Sequence, residues 1–138
     1  MIFFTDENIS KKAAQMLDIF EPKHEVRACL DYFDEGTPDT ESIHAIASWN
    51  EGEATVAVCG DGRILRNKAE KRVLKECKLM FVYLAPGWTN LQWPVFAWKI
   101  VKVWPDIVRN VEQSRYPMVF EVAASSLKIQ SGGRISNL

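Results

Sequence analysis

The chain has 138 residues, of which 47% are apolar and 25% are charged, and its formal net charge is -1. This size and composition are typical of a globular protein, so we expect residues 1–138 to form a single domain. The near-neutral charge excludes binding of nucleic acid through bulk basic character, so such a ligand would need a local basic patch or a metal ion.

Short apolar strands alternate with helical patterns along the chain. In chain order, the predicted elements are a strand over 2–5, a helix ending near 20, a strand over 24–30, a helix over 38–49, a strand over 54–59, a helix over 67–78, a strand over 79–84, a helix over 93–112, and a last hairpin or single edge strand from 119–122 and 127–130. Strands that are apolar throughout favour a parallel sheet with both faces covered, which predicts an α/β protein.

Capping residues define where the predicted helices begin. Asn8 or Ser10 is expected to cap the first helix, and Pro38 suits the first position of the second. Asn67 and Glu70 form a capping-box pattern at the start of the third helix. This pattern makes Glu70 a structural cap more readily than a ligand.

Glycine, proline and asparagine mark the predicted ends and interruptions. Asn50 and Gly52 are expected to end the second helix. Pro105 is expected to break or kink the last one. The tail at Gly132 and Gly133 is expected to fray.

The apolar runs and the cysteines indicate the cellular location of the protein. The longest apolar runs are interrupted well short of a membrane span and no signal peptide precedes the first strand, so no membrane association is expected. Cys29, Cys59 and Cys77 form no CxxC pair and lie among apolar neighbours, which favours reduced, buried thiols. A cytoplasmic location follows.

Acidic side chains are predicted to meet at one edge of the sheet. Asp6 follows the first strand directly, with Glu7 beside it, and Asp61 follows the third strand. Asp39 begins a helix at the same edge of the sheet and lies on the helix face that must point at the sheet. Glu41 is about 200° away around that helix and should point elsewhere. Ligands of such folds bind beyond the carboxyl ends of the strands. Helix-dipole complementarity for Asp39 and a turn role for Asp61 remain as alternatives.

Three hard carboxylates with room for water suit Mg²⁺ or Mn²⁺. Zinc is not expected, because His24 and His44 are the only histidines and the cysteine spacing supports no site. A carboxylate–metal cluster of this kind activates a water molecule and stabilises charge on a phosphodiester. Asp6, Asp39 and Asp61 are therefore the candidate catalytic and metal-binding residues.

Basic and aromatic residues follow the third and fourth strands. Arg63 and Arg66 flank the predicted metal site and could hold backbone phosphates, whereas the lysines that follow them fit the solvated face of a helix. Trp98 and Trp104 fit a core. Core filling is the default role for Trp88 and Trp93, which follow the fourth strand. Stacking on bases and covering an interface remain open for both of them.

Three segments carry a resemblance to a known family. FFTDENIS resembles the opening of PIN-like domains, GTPDTESI their second acidic element, and VAVCGDGRILRNKAE their third. The resemblance covers roughly residues 1–90 and is to the subgroup of VapC-type toxins from bacterial toxin–antitoxin pairs. It implies a three-layer α/β/α sandwich with a mainly parallel central sheet, metal-dependent endoribonuclease activity on RNA, a possible homodimer and a protein antitoxin.

The acids of that family fall on specific residues of this chain. The first falls on Asp6, the helix acid on Asp39 or Glu41, and the third on Asp61. Many relatives carry another acid shortly after the third, where this chain has Gly62 and Arg63. A fourth ligand is then Glu7 or Glu70, or is absent.

Two other functions compete with the ribonuclease. A PIN-like binding module without activity fits the missing acid. A phospho-receiver domain also places an acid pair after its first strand and an acceptor Asp after its third, but it needs a lysine after a late strand. The segment VYLAPGWTN contains none.

Overall fold

A six-stranded sheet forms the centre of the protein in the computed structural model, which describes residues 1–49 and 54–138. The strands lie in the order β2-β1-β3-β4-β5-β6, and β1 to β5 are parallel while β6 pairs antiparallel with β5. Their bounds are β1 Ile2–Thr5, β2 Glu25–Ala28, β3 Thr55–Cys59, β4 Met80–Leu84, β5 Met118–Val122 and β6 Ile129–Arg134. The predicted terminal hairpin is confirmed.

Helices cover both faces of this sheet. They are α1 Lys11–Phe20, α2 Asp39–Trp49, α3 Lys68–Cys77 and α4 Trp93–Gln113. Buried residues of α1 and α4 pack with one set of strand side chains, including Phe3 and Val82, and those of α2 and α3 pack with the other set, including Phe4 and Phe81. Successive strand residues point to opposite faces, so strands that are apolar throughout supply both cores. The predicted three-layer α/β/α sandwich is confirmed.

The strand order creates a crevice at the carboxyl ends of β1 and β3. The chain passes from β1 to β2 on one side and returns to β3 on the other, so the winding direction changes between β1 and β3. A doubly wound sheet binds its ligands at such a switch point. The Asp6 N–H donates to the Val58 carbonyl at 3.0 Å, which holds the segment after β1 against the end of β3.

Side-chain caps begin two of the helices. Ser10 accepts a hydrogen bond from the Lys12 N–H at 3.1 Å and is therefore the cap of α1. Asn67 accepts from the N–H groups of Ala69 and Glu70 at the start of α3. The predicted cap at Asn67 is thus confirmed, whereas Asn50 and Gly52, the predicted end of α2, lie outside the described residues.

The sequence predicts that Pro105 breaks or kinks the last helix, and the prediction of a break is wrong. The helix α4 continues from Trp93 to Gln113 with Pro105 inside it. Pro105 is exposed, whereas Trp104 and Ile107 on either side of it are buried against the sheet. Burial of this apolar stripe outweighs the one backbone hydrogen bond that proline removes from the solvent side.

The prediction of a frayed tail at Gly132 and Gly133 is also wrong, because both lie within β6. A Cβ at Gly132 would come within 3.1 Å of the Val119 side chain, and Gly133 has a φ of +91°. The glycines therefore allow the irregular register between β5 and β6. Beyond them Ile135 is 1% exposed and its N–H donates to the Pro117 carbonyl at 2.8 Å.

The tryptophans divide differently from the prediction. Trp104 is buried as expected, but Trp98 is 53% exposed, so its assignment to the core is wrong. It lies on the solvent face of α4, near the Nζ atoms of Lys99 and Lys102. Trp88 is fully buried, as the default expectation of core filling predicts, and its indole N–H donates to the Val122 carbonyl at 3.0 Å. Trp93, by contrast, is partly exposed.

The cysteines are free thiols, of which Cys59 is buried and the other two are half-buried: Cys29 and Cys77. Over residues 1–49 and 54–138, every helix is too short or too polar to cross a lipid bilayer.

Candidate active site

Asp6 lies at the end of β1, inside the crevice. Its carboxylate accepts hydrogen bonds from the Gly60 N–H at 3.2 Å, the Asn8 N–H at 3.1 Å and the Asn8 side-chain amide at 3.3 Å. Burial raises the pKa of Asp6 to about 6; these hydrogen bonds oppose the rise and the charge of Asp39 adds to it. Part of the Asp6 population is therefore protonated at neutral pH unless a cation is present.

Asp39, in the first turn of α2, faces the same crevice. Burial raises its pKa, the charges of Asp61 and Glu7 raise it further, and Arg63 opposes them. Asp39, Asp6 and Glu7 share a cavity of about 30 Å³ with residues of the segment between β2 and α2. A cavity needs roughly 10–15 Å³ to admit one water, so this one has room for about two.

Asp61 lies two residues after β3 and is paired with a neighbour in sequence. Its carboxylate accepts from the Arg63 N–H at 3.0 Å and from the Arg63 side chain at 2.8 Å (Nε) and 2.6 Å (Nη2). These hydrogen bonds lower the pKa of Asp61. Arg63 is itself exposed, so Asp61 is free to exchange this partner for another cation.

Two further acids complete the group that we call the acidic rim, namely Asp6, Glu7, Asp39, Asp61 and Glu70. Burial raises the pKa of Glu70, with the charges of Asp39 and Asp61 adding to the rise. Glu7 accepts a hydrogen bond from the Gly36 N–H at 2.8 Å. Glu41, the alternative helix acid, is exposed on the first turn of α2 and is not among these interacting charges.

The acidic rim is not a completed coordination sphere. In the described ranges 1–49 and 54–138, no three His, Cys, Asp or Glu side chains form a group that could hold a metal ion as they stand. The carboxylates of Asp6 and Asp61 point at protein donors instead, which relieves the repulsion between like charges. Hard oxygen donors beside a water-sized cavity suit Mg²⁺ or Mn²⁺, and binding would require Asp61 to leave Arg63.

A tyrosine fills the space beside Gly62, the position after Asp61. A Cβ at Gly62 would lie 2.4 Å from the Tyr83 hydroxyl and 2.6 Å from its ring carbon. Burial raises the pKa of Tyr83, the charge of Glu121 adds to the rise, and the exposed Arg66 lowers it. Tyr83 therefore explains why position 62 has no side chain, and the charge of Arg66 acts on its ring hydroxyl.

Some residues of the site were missed by the sequence analysis. Burial, followed by the charges of Asp6 and Asp39, raises the pKa of Cys29 to about 12, so this thiol is neutral beside the acids. Burial also keeps the Cys59 thiol neutral by raising its pKa. Cys29 directly follows β2, so the strand-end rule that located Asp6 could also have located it. The supporting roles of Asn8 and Gly60 have no comparable signal in the sequence.

Comparison with models of known protein families gives a match over the first part of the chain. A family model described as a PIN-like domain matches residues 1–86. The matched region includes the acidic rim and ends within the segment after β4. No curated protein and no solved structure matches this chain.

Proposed function

This chain belongs to the PIN-like domain family, and from that premise we propose that it is a metal-dependent endoribonuclease that hydrolyses RNA phosphodiesters. The observation that carries the proposal is the gathering of Asp6, Asp39 and Asp61 at the switch point of the sheet. The charge of Asp39 acts on Asp6, that of Asp61 acts on Asp39, and Asp6 and Asp39 line a crevice with room for water. Burial makes Asp6 and Asp39 costly to ionise, and a hard divalent metal beside them would offset that cost.

The roles of the side chains follow from their surroundings. Asp6, Asp39 and Asp61 would hold Mg²⁺ or Mn²⁺, with Glu7 or Glu70 as a further ligand. When bound, the metal activates a water molecule and stabilises charge on the phosphodiester. Hydrogen bonds from Asn8 and Gly60 hold the Asp6 carboxylate at the end of β1, where it would bind the metal.

The two arginines are proposed to bind the RNA backbone. Arg63 is exposed and is paired with Asp61, and Arg66 is exposed near Tyr83. When Asp61 turns to the metal, the guanidinium of Arg63 becomes available for a phosphate, which it can bind through two parallel hydrogen bonds. The Arg63 side chain would thus neutralise the charge of Asp61 before metal binding and bind the substrate phosphate afterwards.

The biological setting remains part of the proposal. We propose that the protein is the toxin of a bacterial toxin–antitoxin pair, with a protein antitoxin that blocks the acidic rim. A cytoplasmic location, a single PIN-like domain and a possible homodimer belong to the same proposal.

The test is RNA cleavage by the purified protein with and without Mn²⁺. We expect cleavage that requires added metal, stops with a chelator, and is lost in Asp6→Asn and in Asp61→Asn. Asp106→Asn is the matched control, because Asp106 is exposed on α4, where it pairs with Arg109, and should leave the activity unchanged. Cleavage that survives either rim substitution, or chelation, would contradict the proposal.

An inactive binding module is the second candidate. Two observations favour it: the ion pair between Asp61 and Arg63, and the Tyr83 ring, which fills the space beside Gly62. This candidate predicts that Mn²⁺ binds, measured by calorimetry, while RNA stays intact in all metals. Binding without cleavage would therefore select it over the ribonuclease.

A further inference from the structure

A second recess lies beside the acidic rim, between the beginnings of α1 and α4. We call it the Trp93 groove. It has a volume of about 250 Å³, and the lining residues used below are Asn8, Lys12, Thr89, Trp93 and Phe96. Drug-sized ligands occupy pockets of roughly 300–1,000 Å³, so this recess suits a smaller group such as one nucleobase.

The groove and the acidic rim share a wall. Asn8 lines the groove, and its side-chain amide donates to Asp6 at 3.3 Å. Gly60 donates its N–H to Asp6, and a Cβ at Gly60 would lie 3.0 Å from the Thr89 side chain and 3.4 Å from that of Asn8. Asn8 and Gly60 therefore lie between Asp6 and the groove, and the two sites are adjacent.

The lining has the chemistry of a site for an unpaired base. Trp93 is 39% exposed and lies nearly parallel to Phe96, with ring centroids 6.4 Å apart and an angle of 16° between the rings. Phe96 is buried, so it fixes the indole while leaving part of that ring open. Lys12 is an exposed cation at the same recess, and among residues 1–49 and 54–138 no acid lines it. Bases stack on such aromatic rings whatever their sequence, and a lysine binds the adjoining phosphate.

We propose that the Trp93 groove binds one unpaired nucleotide of single-stranded RNA, next to the phosphodiester presented to the acidic rim. This inference rests on the proposed ribonuclease function and adds a substrate subsite to it. Trp93 and Phe96 lie beyond the residues 1–86 that match the family model. The part of the chain outside the match would therefore contribute to substrate binding.

Binding of a short, fluorescein-labelled single-stranded RNA tests the subsite. Anisotropy is measured in Ca²⁺, with a gel to check that the RNA stays intact, and cleavage is followed in parallel in Mn²⁺. We expect Trp93→Ala to weaken binding about tenfold, because base stacking on an aromatic ring is worth about 1–3 kcal/mol. Trp93→Phe should keep most of the affinity. Trp98→Ala is the matched control, since it removes another exposed indole of α4 that does not line the groove.

Two further measurements identify what the groove holds. An abasic nucleotide is placed at each position of the RNA in turn. At one position it should weaken the binding of the RNA to the wild type but cause no further loss of affinity for Trp93→Ala. Lys12→Ala should reduce the slope of log affinity against log salt by about 0.7, the value for one lost phosphate contact on a single strand. Circular dichroism checks that each variant is folded.

The outcomes separate this inference from the proposed function. Unchanged affinity in Trp93→Ala, or an equal loss in Trp98→Ala, overturns the subsite even if the wild type cleaves RNA. A loss confined to Trp93→Ala and matched by one abasic position supports the subsite even if no cleavage occurs, in which case only the ribonuclease proposal fails. A wild type that does not bind the RNA overturns the subsite.

Discussion

Asp6 should make the stability of the protein depend on pH in a direction opposite to that of most carboxylates. Its pKa is about 6 in the folded protein, against 3.8 for an unperturbed Asp. The folded state therefore holds the proton of Asp6 more tightly than the unfolded state does. As the pH rises from about 4 to about 6, the contribution of Asp6 to the free energy of unfolding falls, and above that it is constant.

The magnitude follows from the shift. A difference of about two units, at 1.36 kcal/mol per unit, amounts to about 3 kcal/mol. Asp6→Asn keeps the shape of the side chain and removes the titration. The hydrogen bonds that the amide loses cost the same at every pH. The free energy of unfolding of Asp6→Asn, minus that of the wild type, should therefore rise by about 3 kcal/mol between about pH 4 and pH 7.

Urea unfolding at half-unit pH intervals measures this difference. Asp61→Asn provides the comparison, because the pKa of Asp61 is lowered in the folded protein. A group with a lowered pKa contributes stability above its ordinary pKa and loses it as the pH falls, so the Asp61→Asn difference should move in the opposite direction. Parallel pH profiles for the wild type and Asp6→Asn would refute the reasoning, since Asp6 would then titrate equally in both states.

Three other changes test separate parts of the structure. Mn²⁺ at 100 times its dissociation constant should raise the free energy of unfolding of the wild type at pH 7.5 by about 2.7 kcal/mol, measured by thermal unfolding, and that of Asp6→Asn by much less. An equal rise in both proteins would mean that the ion binds away from Asp6. Arg63→Ala should strengthen Mn²⁺ binding several-fold in calorimetry, because it frees Asp61, while weakening RNA binding; weaker Mn²⁺ binding would contradict this. Gly62→Ala should destabilise the protein by about 1–3 kcal/mol in urea, since its Cβ would displace the Tyr83 ring; an unchanged free energy of unfolding would mean that the ring moves aside without cost.

The sheet and the positions of Asp6, Asp39 and Asp61 at its edge could be predicted, because each depends on the pattern of its own segment. Strands that are apolar throughout indicate a parallel sheet with two covered faces. An acid directly after such a strand must then lie at the carboxyl edge, which is where Asp6 and Asp61 are found. Asp39 could be located because its spacing from Ile43 and Ile46, both buried, places it on the inner face of α2.

Other features depend on contacts between distant segments. Trp98 and Trp104 belong to the same helical pattern, and only the packing of α4 decides that one is exposed and the other buried. Likewise, Gly132 and Gly133 read as a flexible tail until β5 is beside them. The partners of the acids, such as Gly60 for Asp6, become visible only when the ends of β1 and β3 meet.

The charge of the acidic rim constrains how RNA could approach it. Five carboxylates lie around the crevice, and Arg63, a nearby cation, is engaged by Asp61. A phosphate entering without a metal would be repelled, because the local charge is negative although the whole chain is nearly neutral. A bound divalent ion would reverse this repulsion and also release Arg63 from Asp61, so it would create two attractive charges at once. Stacking in the Trp93 groove involves no net charge, which makes it suited to hold the strand beside a site whose attraction for phosphate depends on the metal.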